Sequence, residues 1–534
     1  MDRRPLGATA AAYRPAAAVR RSHCRAIVLA AVGYTVVVTL LASWRGPGVT
    51  PDSVAYASAA RELAQTGTLT IFDGGHLRFF PPGLPLTLAG LTMLGIPLGV
   101  AVTGLNCLVA SGTVVATERI AVRATGSPVL AAACAAVLAV SMGFVTVNAM
   151  LWTEPIVGLT TALWILLLQR LHANGALTRA DVVALVVTIT VSYTYRYAAL
   201  FMLVVTAVSV ALVYSRRGRR RAVATSLLVT GGATIGLAAI AVENLRHEIG
   251  PLGRRAASTL DGGDVAGQIV TSLGALPVNS DEAPLPVLGV AGSAVVAGLA
   301  ALLVRAHRAR PWRRPSGAWL VSPMTPLVIA TSAYWVFLVA SELTTAINPI
   351  GYRLLYPILP AMVVLGVVGV RTLVVGSRRS FARWLWQIRY AVFAAYVTVL
   401  ACAGIGWSFA AADQGISYSQ VSLRDEPWVD VVRQLPSDAG LISDNPYLVH
   451  WLTGHEPVRP AFGLDFYASG DTEGRADFLC LLVHDRAETY LLWLGDDATK
   501  GVRDFANLGF STTPVEIGVD YALYDVTSCL GAPL

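Results

Sequence analysis

Long apolar stretches recur between residues 26 and 410, each bounded by basic or turn-forming residues. A helix needs about 20 apolar residues to cross the hydrocarbon core of a bilayer. On that measure the pattern predicts eleven spans: 26–44, 98–117, 129–147, 156–168, 182–193, 198–214, 223–242, 285–304, 326–341, 354–375 and 390–410. A long loop, 45–97, separates the first two. Within it, 51–65 carries Ala, Val and Leu at helical spacing behind Pro51, Asp52 and Ser53, which predicts an interfacial helix. The apolar run 84–94 is too short to cross and reads as a re-entrant or interfacial helix. From about Asp413 the pattern changes. Acids rise, and short apolar runs such as 478–483 and 490–494 alternate with Gly/Asp turns. That predicts a small soluble domain. The expected fold class is therefore mainly α: a polytopic membrane helical bundle of about 11 spans with a small C-terminal α/β or α+β domain. The expected boundaries are a basic tail at 1–25, a transmembrane domain at 26–410 and a C-terminal domain at 411–534.

Composition strengthens the membrane reading. The chain of 534 residues is 55% hydrophobic and 14% charged, against roughly 25% charged residues in soluble domains. The arginines fix its direction. If the first span runs outward, the basic runs 3–25, 119–123, 170–179, 216–221, 305–314 and 371–389 all fall on the cytoplasmic side. The expected protein is multi-pass in the cytoplasmic membrane, with its N-terminus inside and its C-terminal domain outside. The net charge of +7 is spent on topology and gives no support for nucleic-acid binding. No small-residue cleavage site follows the first apolar run, so 26–44 reads as a retained span. Cys24, Cys107, Cys134 and Cys402 read as small apolar residues. Cys480 and Cys529 fall in the outer domain, either as a disulfide or as two free thiols. No CxxC or CxxH spacing signals zinc.

The same sorting brings Asp52, Glu154, Arg196 and Arg353 to the outer ends of spans. Each has a bland explanation. Asp52 and Glu154 can serve as helix N-terminal acids. Arg196 and Arg353, flanked by tyrosines, can snorkel to headgroups. Their convergence at one level of one face favours function, because charge near the bilayer is expensive. His76, ahead of Phe79-Phe80-Pro81-Pro82-Gly83, is a candidate substrate contact or a solvated loop residue. Asp444, Asn445 and His450 read as turn residues. The readings left open are a membrane enzyme, a transporter or flippase of lipid-linked glycan, and a non-catalytic envelope-assembly protein. No internal repeat of the kind that marks transporters is visible.

In these residues the chain resembles the C-type (GT-C) glycosyltransferase superfamily, and within it the bacterial protein O-mannosyltransferase and aminoarabinose transferase type. The matching elements are Asp52 directly after the first span, Phe80-Pro81-Pro82-Gly83-Leu84-Pro85-Leu86, Thr153-Glu154-Pro155, Tyr195-Arg196-Tyr197, and Gly351-Tyr352-Arg353-Leu354-Leu355-Tyr356-Pro357-Ile358-Leu359-Pro360. The resemblance covers about residues 26–400. It implies transfer of a sugar from a polyprenyl-phosphate donor to a lipid, glycan or protein acceptor on the outer face, with inversion. It implies that Asp52 is the catalytic base and that Glu154, Arg196, Tyr352 and Arg353 are substrate-binding, with His76 standing beside them only as the loop candidate named above. The chain departs from it where Ser53 stands in place of a second first-loop acid. An oxygen-ligand metal site recruits several carboxylates, so no metal or other cofactor is expected.

Overall fold

The computed structural model describes residues 8–77, 79–215, 218–247, 250–253, 257–278, 322–345, 347–375, 380–461, 479–494 apart from 481, 498–507 and 509–529, with a few positions between 284 and 295. Among these, eight helices are long and apolar enough to cross a membrane, from Ser22–Ala42 to Ala391–Gln414. A ninth span is bent by 58° between Pro128–Val140 and Met142–Asn148, where a single straight span was expected. The expected span at 182–193 is the 17-residue helix Arg179–Tyr195. Most of the expected span at 285–304 and all of the basic run at 305–314 lie outside the described residues. The protein is a multi-pass membrane helical bundle.

Helix boundaries follow from capping chemistry. Ser127 precedes Pro128 and accepts the Leu130 amide. Thr178 and Asp181 cap Arg179–Tyr195 reciprocally. Glycines in the left-handed conformation close several helices, among them Gly126 after Leu98–Thr125 and Gly175 after Glu154–Asn174. The main core lies between helices, with Trp164, Tyr193, Met202 and Tyr334 fully enclosed. Trp164 Nε1 donates to Thr206 Oγ1 at 2.9 Å, so even the buried indole N–H is satisfied.

One end of the bundle is knitted by chain segments far apart in sequence. The Gly48 amide donates to Ala149 O at 2.8 Å, and the Leu151 amide returns a bond to Gly48 O at 2.9 Å. A Cβ at Gly48 would lie 2.2 Å from Met150 Sδ, so glycine permits this approach. Asn106, buried in Leu98–Thr125, donates from Nδ2 to Asn148 O at 2.9 Å and Met150 O at 2.8 Å. That one amide anchors the carbonyls between the bent span and Glu154.

The C-terminal domain is α/β. β1 (Gly440–Ser443) lies parallel between β2 (Val458–Pro460) and β3 (Thr489–Leu494). β5 (Tyr521–Cys529) adds antiparallel to β3, and β4 (Phe510–Ile517) to β5, giving the order β2-β1-β3-β5-β4. Cys480 and Cys529 are disulfide-bonded, which resolves the two alternatives left by sequence. The domain is not tethered by its linker alone. Phe72, Val49 and Val54 of the first loop share an apolar cluster with Trp428, Leu441, Val449 and Leu492.

Candidate functional site

The first-loop helix Pro51–Thr66 begins at the knitted end. Its cap is made by neighbours of Asp52. The Thr50 amide donates to Ser53 Oγ at 3.1 Å, Ser53 Oγ donates to Leu151 O at 2.9 Å, and Trp152 Nε1 donates to Thr50 Oγ1 at 2.9 Å. Ser53, the residue that departs from the acidic-pair pattern, thus serves the cap and the join to the Leu151 segment. The Asp52 carboxylate is turned elsewhere. It is 5% exposed and accepts from Arg353 Nη2. The capping explanation for Asp52 therefore falls away.

Arg353 lies in the short turn Tyr352–Leu355, which follows Gly351 and leads through Tyr356-Pro357-Ile358 into helix Leu359–Val375. Its Nε donates to Glu154 Oε1 at 2.6 Å, and its guanidinium lies 4.2 Å from the Trp152 ring centroid. Arg196 sits at the break between Arg179–Tyr195 and the next span, in extended backbone, and its Nη1 donates to the same Glu154 oxygen. The order is Asp52, Arg353, Glu154, Arg196: two acids and two guanidinium groups in alternation. Glu154 has no solvent exposure, and both arginine side chains keep less than a fifth of theirs. Charges buried to this degree persist only when each is paired. The arginines therefore do not snorkel.

Supporting residues fix this arrangement. Asn148 Nδ2 donates to the Tyr356 hydroxyl at 2.8 Å. The Tyr334 hydroxyl donates to Leu354 O at 2.6 Å, one residue from Arg353. Thr87 and Tyr195 are hydrogen-bonded, tying the short helix Gly83–Met93 to the residue before Arg196.

Four of the expected site residues come together: Asp52, Glu154, Arg196 and Arg353. Tyr352 stands beside them in a packing role, with its Cβ 2.8 Å from where a Cβ on Gly143 would lie. His76 makes its ring contact elsewhere. Its ring stacks on His247 at 3.9 Å between centroids, beyond the end of helix Arg219–Arg246. Sequence reasoning missed Trp152 and Tyr56. Tyr56 is buried one turn after Asp52. Burial first, then the fields of Asp52 and Glu154, push its hydroxyl up, so it remains a neutral phenol among the four charges. The signal for Trp152 was its place directly before Thr153-Glu154-Pro155. Among the described residues no three His, Cys, Asp or Glu side chains converge as metal ligands.

The chain is similar in structure to ArnT from Cupriavidus metallidurans bound to undecaprenyl phosphate, with a TM-score of 0.56 at 15% identity over 95% of this chain and 99% of that chain. The apo state of that protein gives a TM-score of 0.55 at 15% identity, with the same coverage of 95% and 99%. The Archaeoglobus fulgidus oligosaccharyltransferase, solved with zinc and sulfate, gives 0.51 at 12% identity over 93% of this chain and 73% of that chain. No protein-family model matches the sequence, and no curated protein matches it. What is shared at these identities is the fold, that of the ArnT and oligosaccharyltransferase structures.

Proposed function

We propose that the protein is a membrane glycosyltransferase that moves a sugar from a polyprenyl-phosphate carrier to a cell-envelope acceptor, with inversion, on the outer face of the cytoplasmic membrane. The observation that carries this reading is the alternating network Asp52–Arg353–Glu154–Arg196, placed at one end of a bundle with the GT-C fold. The ArnT structure was solved with undecaprenyl phosphate, and an anionic lipid head fits two guanidinium groups held at the mouth of an apolar bundle. A planar guanidinium grips phosphate oxygens in pairs and keeps its charge at every physiological pH.

In the proposed reaction an acceptor hydroxyl oxygen attacks the anomeric carbon. The bond from that carbon to the phosphate oxygen breaks, and the polyprenyl phosphate leaves. The proton of the attacking hydroxyl passes to Asp52. Before substrate arrives the network is neutral, with two acids against two cations. A sugar phosphodiester adds one negative charge at the arginines. Arg353 then exchanges the Asp52 carboxylate for phosphate oxygens, which frees Asp52 as the base at the moment it is needed. As the leaving phosphate gains a second charge, Arg353 and Arg196 stabilise it where it develops. Glu154, held away from solvent, keeps both guanidinium groups in place throughout. The two arginines supply the positive charge at the phosphate, so the step as drawn proceeds without a metal.

The test is transfer from a panel of radiolabelled polyprenyl-phosphate sugars in membranes carrying the protein and native acceptors. Transfer above that of membranes lacking the protein is expected for one donor class. If no donor is used by correctly inserted protein, the weight moves to transport of a lipid-linked glycan.

A further inference from the structure

Arg353 follows a strap without regular structure, residues 347–351, that leaves helix Thr325–Thr344. Ile350 in this strap is 4% exposed. Its amide and carbonyl lie outside any helix or strand, so each needs a partner from elsewhere. Both partners come from one helix, Gly262–Val278. Gln268 Oε1 accepts from the Ile350 amide at 3.0 Å, and one turn on, Ser272 Oγ donates to Ile350 O. The two side chains are four residues apart and therefore share a helix face. Ser272 divides its proton with Gln268 O, 2.6 Å away, whereas the Gln268 bond to Ile350 is undivided. The chain before this helix borders the start of the strap. Ala257 bridges Thr345 in antiparallel fashion, and the Ser258 amide donates to Thr344 O at 3.4 Å. Earlier still, Asn244 Nδ2 donates at 2.9 Å to the hydroxyl of Tyr197, the residue after Arg196. One stretch of chain thus touches the neighbours of both site arginines.

Gly351, between Ile350 and the turn, is not hemmed in. The nearest atom to a Cβ there would be Pro349 O at 3.7 Å, so crowding does not set the path into Arg353. Beyond Arg353, the Tyr334 hydroxyl holds Leu354 O. The backbone of Arg353 is thus anchored to a span on one side and to helix Gly262–Val278 on the other. Its guanidinium is anchored by Glu154 and Asp52. When that head exchanges Asp52 for a phosphate, the backbone anchors must hold its base in place. We propose that Gln268 is a positioning residue for the donor: by fixing Ile350 it fixes Arg353, and helix Gly262–Val278 thereby sets how tightly a polyprenyl phosphate is held. The proposal rests on the reading of Arg353 as the phosphate ligand given above. A guanidinium binds phosphate through paired N–H groups in a fixed plane, so a shift of the strap is felt as loss of donor.

The experiment measures binding of undecaprenyl phosphate to the full chain in lipid nanodiscs, with sugar transfer from the donor panel followed in parallel in membranes. The proteins are wild type, Gln268→Met, Gln268→Asn and Gln268→Glu. Methionine keeps the length of the side chain and removes the acceptor oxygen. Asparagine keeps the carboxamide one carbon short of Ile350, and reads the same quantity should the Met variant fail to fold. Glutamate keeps an oxygen for the Ile350 amide. Expected is binding by wild type, weakened about tenfold in Gln268→Met and Gln268→Asn, as for one lost hydrogen bond, and restored in Gln268→Glu. The donor KM is expected to rise in step, which a smaller folded fraction would not produce, since that lowers kcat alone. Equal binding by wild type and Gln268→Met, a fall in kcat with donor KM unchanged, or no undecaprenyl phosphate bound by wild type overturns the proposal. The expected binding loss and rescue, but no transfer by wild type from any donor, supports the role of Gln268 and sinks the transferase reading alone.

Discussion

Glu154 holds the site together, because both guanidinium groups of the network converge on one of its oxygens. Removing that charge leaves Arg196 without its acid, while Arg353 keeps Asp52. Breaking a buried pair from one side costs about 3–5 kcal/mol, most of it the cost of the charge left behind. Glu154→Gln is therefore expected to lower thermal stability in detergent more than Asp52→Asn, after which Arg353 still holds Glu154. Equal melting points for the two variants would contradict this ranking. At this scale the sequence was most informative about charges. A carboxylate or guanidinium at the edge of a span is visible because the bilayer makes it costly, and four such residues did converge. What sequence did not reveal was which bland role each neighbour fills. The cap belongs to Thr50 and Ser53, and that depends on the Leu151 carbonyl nearly a hundred residues away. His76 was singled out by its residue type, and only the packing places it on His247.

The spans were legible because apolar runs of bilayer length leave little choice. Their irregularities were not. The bend after Val140 falls at Ser141, which has extended backbone, and the short helix beyond it packs Gly143 against Tyr352. No local signal marks that contact, because Tyr352 lies over two hundred positions away. Gly83 in the Phe80-Pro81-Pro82-Gly83 segment is a similar case. A Cβ there would lie 2.5 Å from Thr194 O, a backbone atom two residues before Arg196. Backbone cannot yield as a flexible side chain can, so Gly83→Ala must displace the short first-loop helix or the segment that carries Arg196. Transfer is expected to fall tenfold or more by analogy with small misplacements of positioning groups, at a stability cost of about 1–3 kcal/mol. Gly90→Ala, where a Cβ meets nothing within 4 Å, is the control on the same helix and should leave transfer unchanged. Full transfer by Gly83→Ala would show that this helix does not position Arg196.

The composition shift near Asp413 separated the C-terminal domain from the bundle, but the order β2-β1-β3-β5-β4 and the docking on the first loop come from contacts without local sequence signature. That docking carries a pH dependence. The His450 ring stacks on Phe72 of the first loop, its Nδ1 lies 3.1 Å from His455 O and 3.6 Å from Glu456, and Glu456 in turn pairs with Arg61. Burial, above all, pulls the imidazole down to about 4, whereas in the unfolded chain it titrates near 6.5. Between those values the unfolded chain binds more protons than the folded one. Stability is thus unaffected above about pH 6.5 and falls as the pH drops toward 4, by up to about 3 kcal/mol. Burial raises Asp444 and Glu456, which act in the opposite sense, so the effect is read by comparison with a variant. Hydrogen exchange in residues 440–460 should accelerate from pH 7 to pH 5 in wild type more than in His450→Gln, once intrinsic rates are removed. The same pH response in both would show that His450 does not carry the pH dependence of this docking.

In the proposed reaction the four buried charges carry the glycosyl transfer and Asp52 takes the acceptor's proton. The measurement that tests it most directly is sugar transfer from the polyprenyl-phosphate donor panel by wild type beside Asp52→Asn, with both proteins shown to be inserted and folded. Asparagine keeps the size of the side chain and a hydrogen-bonding oxygen for Arg353 but accepts no proton at neutral pH. Wild type is expected to transfer sugar, and Asp52→Asn to lose about 10²–10⁴-fold, the range for a missing general base. Undiminished transfer by Asp52→Asn would contradict it.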